Sequence, residues 1–239
     1  VPEPTSPAPD RRDFLTKVAA AAVVVAGTAC AAPLAGVTAG AQSLATPRQP
    51  QAKPAFDDSW TARVSAAKHR GVFDSPEVGG GVALEHASVF VQGYKDVFDA
   101  PESDVAAVVV MRHFGTVIAL GDAFWERYEF GKRFKTNDPR TGKEALRNPF
   151  IRVDKGDETA LISPEASLES LRARGVVLLC CNRALMHFAT DTAKKLNREV
   201  EEVKAEFRAG LLPGVILQPS GIYANMRAQE VGCGFLKST

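Results

Sequence analysis

Two unbroken apolar runs constrain this chain more than anything else in it: Val105-Ala106-Ala107-Val108-Val109-Val110-Met111 and Val176-Val177-Leu178-Leu179. The second is too short for a helix and is led in by Gly175. Neither alternates apolar with polar, as a strand with one wet face would. Such runs suit strands covered on both faces, as in a parallel α/β sheet. Each ends on a polar tip, Arg112-His113-Phe114-Gly115 after the first and Cys180-Cys181-Asn182 after the second. Ligands of open parallel sheets sit just beyond the carboxyl ends of the strands. Cys181 is therefore the first candidate site residue, and the others are ranked by whether they can stand beside it.

The rest of the folded part reads as alternating strands and helices. The rough alternation over 60–66 predicts a first strand, with Lys68 and His69 just past its end. Apolar spacing predicts helices over 82–98, 116–128, 184–196, 198–211 and 222–231, with Thr116 as an N-cap. A short helix over 164–173 is expected, capped by Ser163 with Pro164 at its first position. Short strands are expected over 215–217 and 234–237. This order predicts a three-layer α/β/α domain with a mostly parallel, doubly wound sheet over 56–239. Three strand ends would then meet on one edge, at His113, at Cys181-Asn182 and at Ser220-Gly221.

One segment breaks the pattern. Residues 130–163 carry Lys132, Arg133, Lys135, Arg140, Lys143, Arg147, Arg152 and Lys155 among Gly and Pro. An irregular insertion of this length in a compact domain is a lid, an interface element or a solvated surface loop.

Composition narrows the function classes. The formal net charge is +1 over 239 residues, and no run of Lys and Arg interleaved with aromatics occurs. Nucleic-acid binding is not indicated. Four cysteines are too few for a disulfide scaffold, and no Cys-x-x-Cys occurs, which argues against thioredoxin-like and zinc chemistry. Cys180 and Cys181 point to opposite faces of a strand and are poorly placed to bridge each other. If the last strand is parallel, Cys233 starts at the opposite edge from Cys181. His69, His113 and His187 show no paired spacing for a metal, so no metal site is expected.

The first 41 residues read as an export leader. Asp10-Arg11-Arg12-Asp13-Phe14-Leu15-Thr16-Lys17 precedes an Ala/Val-rich stretch over 18–32 that is short for a spanning helix. The pattern resembles a twin-arginine (Tat) signal, Ser/Thr-Arg-Arg-x-Phe-Leu-Lys, departing from it at Asp10 and in the place of Lys17. Ala39-Gly40-Ala41 offers a cleavage site, and a lipoprotein variant cut before Cys30 ranks second. The expectation is a periplasmic or extracytoplasmic protein with no membrane span once the leader is removed. Residues 42–55, with Pro47, Pro50 and Pro54, read as a linker.

A family resemblance covers roughly 56–239 and is most specific in the last quarter. Arg174-Gly175-Val176 through Cys181-Asn182, Leu211-Leu212-Pro213-Gly214-Val215, Pro219-Ser220-Gly221-Ile222 and Arg227-Ala228-Gln229-Glu230-x-Gly232 resemble the C-terminal half of DsrE/DsrF-like sulfur-relay proteins. The Val-rich strand ending at His113-Phe114-Gly115 resembles that family's strand ending near a His-Gly pair. The leader and the basic insertion depart from its small cytoplasmic members. The resemblance implies a small doubly wound α/β fold, a persulfide-carrying cysteine at Cys181 in some relatives, and a trimeric or hexameric homo-oligomer.

The chemistry then divides two ways. In the first, Cys181 binds or relays sulfur as a persulfide, exchanged with small sulfur species or a sulfur-transfer protein. His113 is then a base or thiolate partner, and Arg112, Asn182, Ser220 and Gly221 shape the pocket. The helix start after the strand and the basic residues nearby favour a thiolate. In the second, the same pocket holds a small anion or a cofactor without catalysis, and Cys181 is a small buried apolar residue. Ser220-Gly221 suits an anion at a helix start. The persulfide sulfur aside, no cofactor is indicated by any motif. A redox enzyme loaded with a cofactor before export is a third reading, which predicts a coloured protein. Whether the chain is an enzyme is left open by these residues.

Overall fold

The computed structural model describes residues 56–157 and 162–239. The leader over 1–41 and the linker over 42–55 lie outside the described residues. The domain is α/β, with a five-stranded sheet in which every pairing is parallel. Its strands are β1 (His69–Ser75), β2 (Val105–Met111), β3 (Val177–Cys181), β4 (Val215–Gln218) and β5 (Gly234–Lys237). They lie in the order β4-β3-β2-β1-β5. β2 and β3 are buried at every residue, which is why their sequences lack alternation.

Helices cover both faces. α1 (Trp60–Ala66) and α8 (Gly221–Glu230) pack on one face. There Trp60, Val64, Ala224 and Ala228 meet Val108, Val110 and Leu179. α2 (Val82–Phe98), α3 (Asp122–Arg127), α4 (Phe130–Arg133), α5 (Leu168–Ala173), α6 (Asn182–Leu196) and α7 (Val200–Ala209) cover the other face. Their Leu84, Trp125, Leu171, Leu185 and Phe207 meet Val109, Met111, Leu178 and Cys180. Strands β1 to β4 step across the sheet in sequence order. α8 then returns across the opposite face to set β5 beside β1. Among the described residues no helix is long and apolar enough to cross a membrane.

Three local expectations are corrected. The segment 60–66 is helix α1, and the first strand begins at His69. Trp60, Thr61 and Val64 are the buried residues of α1, a helical spacing that seven residues cannot separate from a rough alternation. The segment 116–128 is not one helix. A 3₁₀ stretch, His113–Ala119, is followed by α3, and Thr116 caps nothing. Between them Leu120 bridges Leu211, and the Gly121 N–H donates to the Gly210 carbonyl. These backbone bonds to the approach of β4 replace helical ones. Finally, Ser167 rather than Ser163 caps α5, accepting from the Ser170 N–H. Pro164 instead opens a separate 3₁₀ turn, Pro164–Ala166.

The insertion is folded onto the body. Phe130, Ala145, Phe150, Val153 and Ile162 are buried in the larger core. Three of its arginines find carboxylates within the insertion. Arg147 grips Asp138 through Nε and Nη2 at 2.8 and 2.9 Å, Arg140 bonds Asp157 and Asp154, and Arg152 bonds Asp154.

Candidate functional site

The site follows from the chain's reversal. β3 runs into α6 on one face and its neighbour β4 runs into α8 on the other. The carboxyl ends of two such strands leave a crevice between the departing helices, the switch point at which open α/β sheets bind ligands. A cleft of about 650 Å³ opens there. It is lined from the strand ends by Arg112, His113, Cys181, Ser220 and Gly221. Its apolar wall is Phe114, Met186, Phe188 and Ile222.

Cys181 is the N-cap of α6, and its sulfur accepts from the Ala184 N–H at 3.3 Å. A sulfur so placed feels the positive end of a 15-residue helix. Cys180, one residue earlier, points into the larger core. Burial raises its thiol far above the ordinary range. Cys233 begins at the far edge of the sheet, ahead of parallel β5, and burial pushes it up to about 11. All three thiols are free.

Those two shifts give an expected result. At about pH 8, a thiol reagent should leave Cys180 and Cys233 untouched in the native protein and reach both after unfolding. Alkaline stability follows the same logic. The unfolded chain releases these protons from near 9.0, while the folded chain keeps them to higher pH. The unfolded state then binds fewer protons, so stability should fall as pH rises above 9.0. Denaturant titrations across that window check it.

Arg112 stands beside Cys181. Met111 pairs in register with Cys180, and Arg112 keeps extended backbone at φ −134°, ψ 170°. It therefore occupies the next rung, on the same face as Cys181. Its guanidinium is held by Asp74, Nε at 2.7 Å and Nη2 at 2.8 Å. Asp74 is 1% exposed and also accepts from Asn225 Nδ2 at 2.8 Å. The bond to Asp74 raises Arg112 above its ordinary range, and the charge of a Cys181 thiolate adds to the effect. Gly221 lies against the Arg112 stem, where a Cβ would come within 2.3 Å of the Arg112 Cβ.

His113 sits at the rim with φ 48°, in the left-handed region that costs a non-glycine residue about 1 kcal/mol or more. Its Nδ1 lies 3.6 Å from Glu77 Oε1, and its ring lies 4.0 Å from that of Phe114. Ser220 caps α8, its Oγ accepting from the Tyr223 N–H at 3.1 Å. Asn182 is the exception among the expected pocket residues, because it does not line the cleft. It lies one step of about 100° further round the helix than Cys181, and its Oδ1 is buried without a partner.

The insertion braces the wall without lining it. Phe134 lies 5.7 Å from Phe114 and 6.1 Å from Phe188, and the Arg133 guanidinium sits 4.8 Å over the Phe188 ring. The sequence reading missed Asp74, Asn225 and this aromatic wall. Only a recognised β1 would have flagged Asp74, as a charge at a buried strand end.

Among the described residues, no group of three or more His, Cys, Asp or Glu side chains could hold a metal ion. The cleft can seat an anion or a sulfur species between Arg112 and the starts of α6 and α8, with an organic body against the apolar wall. Comparison with family models, with curated proteins and with solved structures finds no match.

Proposed function

We propose that this chain is an exported DsrE-like protein that carries sulfur on Cys181 as a persulfide. The observation that carries the reading is the position of Cys181. Its sulfur caps a helix N-terminus, and the residue lines the same cleft as Arg112, which follows the neighbouring strand. In the transfer, the Cys181 thiolate attacks the outer sulfur of a polysulfide or of a partner's persulfide. A Cys181–S bond forms, the donor's S–S bond breaks, and the donor leaves as a thiolate with the electron pair. An acceptor thiolate takes the outer sulfur by the same exchange and releases Cys181. No net oxidant is needed. His113 at the rim is the proton partner in this scheme, with Ser220 and Gly221 closing the far side.

Export by the twin-arginine route and assembly as a trimer or hexamer belong to the same proposal. Ile222, Tyr223 and Met226 on α8, with Phe235 and Leu236 on edge strand β5, are exposed apolar side chains that support an oligomer.

One observation favours a second reading. A cleft of about 650 Å³ with an apolar wall is far more than a sulfur atom occupies, and it matches the size of small-molecule sites. In that reading the protein is a non-catalytic subunit that binds a small anion or cofactor.

Intact-mass spectrometry with and without polysulfide separates the two. Added sulfur atoms on the wild type, absent from Cys181→Ser, are expected. No added sulfur, together with a Cys181 silent to thiol reagents in the native state, would leave the binding subunit.

A further inference from the structure

The pair beneath Cys181 is built more elaborately than packing requires. Asp74, one residue from the end of β1, is buried, yet it takes three charged or polar donors: Nε and Nη2 of Arg112 and Nδ2 of Asn225. Asn225 comes from α8, the helix that roofs this face, and is itself 7% exposed. Gly221, at the start of the same helix, leaves room for the Arg112 stem and for nothing larger. Two elements, β1 and α8, thus converge on one guanidinium. Two of its three nitrogens are committed to Asp74, so the group cannot swing into the cleft to meet a ligand with its full fork. Arg112, just past the end of β2, and Cys181, at the end of neighbouring β3, line the same cleft, close enough for a Cys181 thiolate to act on the guanidinium charge.

We propose that Asp74, backed by Asn225, is a positioning residue that holds the Arg112 guanidinium beside Cys181 as the fixed countercharge of its sulfur. The pair is neutral as a whole, but it is oriented. Asp74 is 2% exposed at its side chain and Arg112 29%, so the carboxylate lies deep and the guanidinium faces the cleft. A thiolate or a terminal persulfide sulfur at Cys181 meets the positive end of that dipole. The other titratable groups at the cleft come mostly with partners: His113 near Glu77, His187 near Asp191, and Lys204 paired with Glu201. Arg183, on the first turn of α6, adds a cation to the cleft lining.

This inference deepens the sulfur-carrier reading and rests on it for its purpose, but its test needs no sulfur transfer. The double substitution Asp74→Asn with Arg112→Gln replaces a neutral pair by a neutral pair and leaves no buried charge alone. If the pair only packs, the pH dependence of Cys181 alkylation by iodoacetamide, read by peptide mass on the full chain, is unchanged. If the pair is oriented as described, the midpoint moves up by about one pH unit. Arg112→Gln alone serves as a second variant and should move it the same way. An unmoved midpoint in both overturns the inference. A shifted midpoint in protein that takes up no polysulfide overturns the carrier function instead and leaves the positioning role standing.

Discussion

Replacing Asp74 by alanine should destabilise the protein by about 3–5 kcal/mol, the cost of breaking a buried ion pair from one side. The loss is not the worth of the pair. It is the penalty of leaving the Asn225 amide facing a void and of forcing the Arg112 guanidinium to give up the carboxylate that fixed it. The two ends of the pair should also differ. The Arg112 side chain is 29% exposed and can turn toward the cleft, whereas that of Asp74 is 2% exposed and cannot reach water. Arg112→Ala should therefore cost more than Asp74→Ala. The double change to Asn and Gln should cost only about 1 kcal/mol, because neutral amides are cheaper to bury than lone charges. Urea denaturation of the four proteins gives the ordering directly. A loss below about 1 kcal/mol for Asp74→Ala would mean that the pair behaves like a surface salt bridge.

The same pair shows what the sequence could reveal and what it could not. β2 and β3 were legible because a strand buried on both faces must be apolar throughout. The polar tips Arg112-His113 and Cys181-Asn182 then stood out against those runs. β1 was not legible, since His69-Arg70-Gly71-Val72-Phe73-Asp74-Ser75 has only three non-polar residues at its centre. Its polar ends look like loop, yet they are anchored by register with β2 on one side and β5 on the other. Missing β1 hid Asp74, and with it the meaning of Arg112. Asn225 was hidden differently, because an asparagine in mid-helix reads as a solvated position until the helix is docked. Ser220 and Gly221 needed less context, as a small polar residue before a helix is an N-cap signal by itself. The aromatic wall was invisible in the sequence because Phe114, Phe134 and Phe188 come from three separate segments. Only the folded insertion brings Phe134 against the other two, which also meet each other at 6.2 Å.

That insertion hangs on one residue whose loss should be nearly as costly as that of Asp74. Asn148 is 1% exposed. Its Nδ2 donates to the carbonyls of Ile118 and Leu120, each at 2.8 Å, and its Oδ1 accepts from the Phe150 N–H at 3.0 Å. Its own N–H donates to Asp122 Oδ1 at 2.9 Å. The two carbonyls lie in the segment that fails to become a helix, so Asn148 satisfies backbone that regular structure leaves open. Asn148→Ala strands three buried groups at about 1 kcal/mol each. The expected loss is about 3 kcal/mol, which lowers Tm by roughly 6–12 °C for a domain of this size. Asn148→Asp is the sharper test, since it is nearly isosteric but turns carboxylate oxygen toward two carbonyl oxygens. It should be at least as damaging as alanine. Were packing alone responsible, the aspartate would be the milder change. The insertion begins at Phe130 and carries Phe134 against the cleft wall. Both variants should therefore loosen that wall as well, seen as faster alkylation of Cys181 at a pH where the wild-type rate is slow.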